Sequence, residues 1–264
     1  MALFDTVLDR IGRLIVKRLE KPARGCEPFT PSDPETLLRV LTPADVLLID
    51  GNQKVATAIK YLTQSTWSHA ALYIGDVFGP SAGGEPLTLI EANPSDGVVA
   101  VPVSKYACFN TRICRPVGLN PEERHQVVCF AVERLGSKYD TRNIIDLARD
   151  LFPTPPGPVR WRRRMIAFGS GEPTRAICST LIAQAFQSVR YPILPRIERL
   201  PEPVRAESSY SQGEILHIRH HSLFAPRDFD LSPYFQVVKP TIEAGFDHHR
   251  LHWADETTDQ APPG

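Results

Sequence analysis

The stretch Trp67–Gly75, WSHAALYIG, places the only histidine of the first 124 residues at the head of an otherwise apolar run. Either the ring is packed as core or it moves protons, and its neighbours decide between the two. Downstream, the turn-rich connector DVFGPSAGG (76–84) leads into a second apolar run, LTLIEA (87–92). Two such runs joined by Gly, Pro and Ser predict an antiparallel hairpin. The start of the first strand then lies beside the end of the second, which brings His69 next to Glu91. A carboxylate can fix an imidazole tautomer and stabilise the imidazolium, but it can equally be one half of a satisfied core polar pair. Chemistry requires a nucleophile as well.

The flanking segments supply the rest of a sheet. DVLLID (45–50), GVVAVPV (97–103) and TRICRPV (111–117) read as further short strands, with a helix predicted over QKVATAIKYLTQ (53–64). Together they predict an antiparallel meander. From Pro121 the pattern turns helical in PEERHQVVCFAVERLG (121–136) and TRNIIDLARDLF (141–152). A loop rich in Pro, Gly and Arg follows over 153–173, then a helix in CSTLIAQAFQSV (178–189) and weaker strand signals in GEILHIRHH (213–221) and YFQVVKP (234–240). Strands followed by helices define an α+β class.

The candidate nucleophile is Cys178. It follows the loop GSGEPTRAI and opens a helix, where unpaired N–H groups and the positive end of the dipole favour thiolate. Leu181, Ile182, Ala185, Phe186 and Val189 define the buried face, and Cys178 precedes the first two by three and four residues, so its sulfur points toward the sheet. Cys129 falls mid-helix, Cys114 mid-strand, and Cys26 and Cys108 in connecting segments, all without such a field; each is expected to be structural.

Composition narrows the remaining possibilities. Lys plus Arg and Asp plus Glu number 30 each in 264 residues, so no global field selects nucleic acid. Five scattered cysteines do not form a disulfide framework and suggest a reducing compartment. The first twenty residues place Phe4, Val7, Leu8, Ile11, Leu14, Ile15 and Leu19 at helical spacing and interleave charges among them. That is an amphipathic helix, neither signal peptide nor membrane span; it can pack on its own domain or dock on a membrane surface or a partner. A cytoplasmic chain, with peripheral membrane contact as an option, is expected.

The segments DVLLIDG, WSHAALYIG, LIEA followed by GVVAVPV, GSKYD, ICSTLIAQAF and APRDFDLSPYF, in that order over about residues 41–238, resemble the permuted NlpC-type papain-like cysteine hydrolases of the YiiX group. The resemblance implies a circularly permuted papain-like fold with an extra N-terminal helix. It also implies that Cys178 is the nucleophile, His69 the general base and then acid, and Glu91 the group that orients His69. The order His, Glu, Cys inverts the usual one, and such a site is defined by geometry rather than chain order. Thr180 stands after Cys-Ser where the family often has an acidic residue, so a substrate contact through that position has no counterpart here. Family likeness suggests an amidase or peptidase acting on small or cell-wall-type peptides. It extends to lecithin:retinol acyltransferase-like proteins, which makes lipid deacylation the alternative, and a non-catalytic binding module on the same fold is a third possibility.

The expected organisation is an N-terminal helix and Pro-rich linker over 1–36, a hydrolase domain over 37–240 and a polar, flexible tail over 241–264. Tyr139, in GSKYD, is a weaker candidate for lining the substrate cleft. The basic run RWRRRM (160–165) reads first as a solvated loop. The histidine clusters HIRHH and DHHRLH lack a recognised metal spacing, and no Gly-rich phosphate loop is present, so no metal or other cofactor is expected.

Overall fold

The computed structural model describes residues 33–79, 84–93, 96–138, 177–199 and 214–250. The N-terminal amphipathic segment, Tyr139, the segment 141–152, the Arg-rich run and residues 251–264 lie outside them. No helix among the described residues is long and apolar enough to cross a membrane.

The chain forms an α+β structure around a six-stranded antiparallel sheet. The central strand is β1 (Val46–Asp50), which pairs with β2 (His69–Tyr73) on one side and β5 (Asn110–Pro116) on the other. Beyond β2 lie β3 (Leu89–Asn93) and β4 (Gly97–Val101); beyond β5 lies β8 (Phe235–Val238), giving the order β4-β3-β2-β1-β5-β8. The expected meander therefore holds only for the first four strands. The fifth crosses back to pair with β1, because a central strand buried on both faces, at 1% exposure or less from Val46 to Ile49, has to be covered on both edges. A separate hairpin joins β6 (Arg196–Arg199), which sequence reasoning left unmarked, to β7 (Glu214–His217).

Alternation along the strands divides the core into two layers. Val46, Leu48, Ala70, Leu72 and Ile90 face α3 (Pro121–Val132) and α4 (Ile177–Ser188), where Leu181, Ile182, Ala185 and Phe186 are buried and Val189 is partly so. Leu47, Ile49, Ala71, Tyr73 and Leu89 face the opposite way, onto α1 (Pro34–Val40) and the 3-10 turn Val103–Tyr106.

Local chemistry explains the element ends. Asn120 and Glu123 form a reciprocal capping box at the start of α3, with Pro121 at its first position. Asp33 caps α1 through the Thr36 N–H, and Pro34 opens that helix inside the expected linker. Helix α2 spans Lys54–Thr63. At the boundary with the stretch expected as a flexible tail, Pro240–Glu243 forms a short helix, and within that stretch His248–Arg250 forms a 3-10 turn. Gly97 has φ +76°, and a Cβ there would stand 2.3 Å from the Ser137 carbonyl, which accepts the Val98 N–H. The edge of β4 is thus covered by the chain leaving α3.

Asp45 is fully buried at the start of β1. Its carboxylate accepts from Arg115 Nε and Nη2 and from the Thr42 N–H, and Arg115 also donates to the Val40 carbonyl. This ties β1, β5 and the end of α1 together. Replacing Asp45 by Ala leaves the guanidinium without its anion and should cost about 3 kcal/mol in urea unfolding; a loss below about 1 kcal/mol would show that water replaces the carboxylate.

Candidate active site

The histidine and the carboxylate meet on one face of the sheet. The β2–β3 register pairs Leu72 with Ile90 and Tyr73 with Leu89, so Glu91 sits diagonally from His69 rather than directly across. A diagonal pair is within reach of long side chains. His69 Nε2 lies 3.2 Å from Glu91 Oε2.

Glu91 is wholly buried and still ionised, because donors surround it. Besides His69, its carboxylate accepts from Asn93 Nδ2 at 2.9 Å, from Lys105 Nζ and from the Tyr106 hydroxyl. Burial alone would raise its pKa; the hydrogen bonds and positive charges of His69 and Lys105 reverse this and hold it well below the usual carboxylate range. Tyr106 responds in the opposite sense: burial and the adjacent carboxylate push its phenol well above 10.0.

Cys178 approaches from the other face of the sheet, which raises the question of how its sulfur reaches the ring. The β2–β3 ladder is short. On β2, Tyr73 donates to Asp45 beside β1, whereas Ile74 donates to Thr88 on the β3 side. By the same alternation the Ala70 N–H points toward β3, yet the paired residues stop at Leu72 and Ile90. The donor that the ladder leaves over is taken by the Cys178 sulfur, which also accepts from the Ser179 N–H and is hydrogen-bonded to His69. The sulfur from the helix layer and the ring from the opposite face therefore meet at the end of the sheet, where β2 and β3 part.

With Nε2 committed to Glu91, Nδ1 is the ring nitrogen that remains for the sulfur. Burial would push the Cys178 thiol up and His69 down. In both cases proximity wins: the imidazolium and the N–H donors bring the thiol below 9.0, while the thiolate and Glu91 raise His69 to about 10. Each charge favours the other, so the arrangement favours a thiolate beside an imidazolium. Cys114 provides the contrast, since it is equally buried but has no such donor, and burial followed by the nearby Asp230 charge pushes its thiol up to about 12.

A second cysteine and histidine meet on α3, where Cys129 Sγ lies 3.4 Å from His125 Nε2, one helical turn away. No carboxylate orients His125 among the described residues, and the pair lies mid-helix without unpaired N–H groups. It lacks what sets Cys178 apart. At the chain's end the expectation of no clustered metal ligands needs one amendment: Asp247, His248 and His249 bring one ligand atom each to within 4.8 Å of one another, all exposed. Their compactness comes from three consecutive residues in a tight turn.

Of the sequence candidates, Cys178, His69 and Glu91 come together, and Tyr139 lies outside the described residues. Sequence reasoning missed Asn93, Lys105 and Tyr106. Asn93 could have been found, because it lies two residues from Glu91 on the same strand face. Lys105 and Tyr106 return to the site through a 3-10 turn that has no local sequence signature.

No protein-family model matches the chain, and no curated protein does. Among solved structures it is similar to the metalloprotein YiiX of Escherichia coli O157:H7, with 14% identity over 75% of this chain and 96% of that one and a TM-score of 0.43.

The ion pair makes a direct prediction. Alkylation of Cys178 by iodoacetamide should show a midpoint below pH 9.0, as the thiolate is lost only when acid protonates it, and His69→Ala should move that midpoint upward. An unchanged midpoint in the variant would mean that His69 does not sustain the thiolate.

Proposed function

We propose that the protein is a thiol-dependent hydrolase that cleaves an amide bond through a thioester intermediate, with Cys178, His69 and Glu91 as its catalytic group. The observation that carries this reading is the Cys178 sulfur hydrogen-bonded to His69 while the other ring nitrogen bonds the buried Glu91. A core cysteine needs neither contact.

In the proposed reaction the Cys178 thiolate attacks the carbonyl carbon and forms the C–S bond. The Cys178 N–H, beside the attacking sulfur, is the natural first donor to the developing oxyanion. His69 gives its Nδ1 proton to the leaving amine as the C–N bond breaks. Water then attacks the thioester, His69 accepts the water's proton, and the carboxylic acid departs to restore the ion pair. Glu91 keeps the ring oriented and stabilises its cationic form, assisted by Asn93, Lys105 and Tyr106 as positioning residues. The reading agrees with the resemblance to permuted papain-like hydrolases, in which small or cell-wall-type peptides are the favoured substrates.

The amphipathic first twenty residues favour a second substrate class, an acyl ester in a lipid. The chemistry at sulfur would be the same. An electrophilic thiol probe should label the wild type at Cys178, and Cys178→Ala should lose that labelling; equal labelling of the two proteins would leave only a binding module. A mixed panel of muropeptides and phospholipids then separates the substrates. Release of new amino groups, reduced by a factor of about 10³ or more in Cys178→Ala, is the expected result, and fatty-acid release alone would refute the peptidase reading.

A further inference from the structure

Helix α3 carries metal-ligating side chains that the proposed reaction does not use. Val127, Val128 and Ala131 bury one face of it in the layer shared with α4. His125 is exposed, and Cys129, one turn further on, is a half-buried free thiol. The Cys129 sulfur lies 3.4 Å from His125 Nε2 and 3.9 Å from Nδ1. Two ligands of a tetrahedral zinc ion, bonded at about 2.3 Å through sulfur and about 2.0 Å through nitrogen, stand about 3.5 Å apart. The pair already has that separation, and the exposed ring needs only a turn about its Cβ–Cγ bond to aim a nitrogen lone pair at a shared ion.

Two further features of the helix point to a cation. Glu133, which caps α3 with helical backbone angles, stands one turn beyond Cys129. Helical side chains lean toward the N-terminus, so Glu133 leans toward Cys129 as Cys129 leans toward His125. Its side chain is 74% exposed, and its ion pair with Arg134 is long, at 3.9 Å. Arg134 itself is held by the carbonyl and the ring of Phe130. Glu122, one turn before His125, leans away from the pair and accepts from Gln126. The last turn of α3 holds no basic residue, and the negative end of the helix dipole favours a cation there.

We infer that His125, Cys129 and Glu133 form a site for a thiophilic divalent cation of the zinc type, with water in the fourth position. On binding, the Cys129 thiol releases its proton to solvent, and the sulfur and a neutral ring nitrogen each donate a lone pair to the ion. Imidazole, thiolate and carboxylate together suit zinc, whereas magnesium and calcium take oxygen ligands. One helix suffices as scaffold, because residues four apart share a face. The site has no residue in common with Cys178, His69 and Glu91, and it does not depend on the hydrolase reading. An ion held there clips the last turns of α3 and stabilises the folded chain by mass action.

The full chain carrying Cys178→Ala, kept reduced, removes the competing thiol and provides the assay. Co2+ is the probe, since a thiolate ligand gives it a sulfur-to-metal charge-transfer band. One equivalent should produce that band, Zn2+ added afterwards should abolish it, and Cys129→Ala in the same background should never show it. His125→Ala should weaken Co2+ binding about tenfold or more, at least as much as loss of a group that merely supports a metal ligand. Glu133→Gln should weaken it while keeping the band. Ala is a good helix former at both positions, and Cys129→Ser repeats the test if the helical circular dichroism of Cys129→Ala falls. Absence of Co2+ binding, binding without the band, a band that survives removal of the Cys129 thiol, or unchanged affinity in His125→Ala or Glu133→Gln overturns the site.

Discussion

A carboxylate with no exposure to water must obtain all its hydrogen bonds from the protein, and Glu91 obtains them from four residues. Everything at the sheet end depends on this. His69 is oriented because one of its nitrogens serves Glu91, and the 3-10 turn carrying Lys105 and Tyr106 is held against the sheet for the same reason. Removing any one donor leaves part of a buried charge unsatisfied, which costs far more than a surface contact would. The charge is thereby fixed in place before any substrate arrives, which is the condition under which a dipole or ion contributes most to a reaction.

The second constraint is the early end of the β2–β3 ladder. A continuous ladder would have consumed the Ala70 N–H and closed the sheet between the helix layer and the ring. Ending the ladder costs a backbone hydrogen bond, and the Cys178 sulfur restores it. One backbone group therefore serves both the fold and the thiolate. The contrast with Cys114, buried to the same degree yet driven toward the neutral thiol, shows that neighbours rather than burial set the state of each cysteine.

The network around Asp230 extends the same logic outward. Through Arg112 and the Trp67 indole N–H it joins β5, the short helix Arg227–Leu231 and the turn before β2, three segments far apart in sequence, and holds the Trp67 side chain just upstream of the ring.

Much of the site was legible in the sequence, for reasons that lie in local periodicity. Alternation in HAALY and LIEAN sets His69 and Glu91 on one face, and the 3.6-residue repeat after Cys178 sets the sulfur on the buried side of its helix. Strand order was not legible, since β5 could pair with β4 or return to β1 and only burial of β1 on both edges and faces decides. Nor were Lys105, Tyr106 and the Arg112–Asp230–Trp67 network, whose members are brought together by tertiary packing and carry no common spacing. A sequence fixes which face of an element a residue occupies, because that follows from backbone geometry a few residues long. Which charge finally stands beside a buried carboxylate is settled only when distant segments close around it, because the cost of an unsatisfied charge is felt only after water has been excluded.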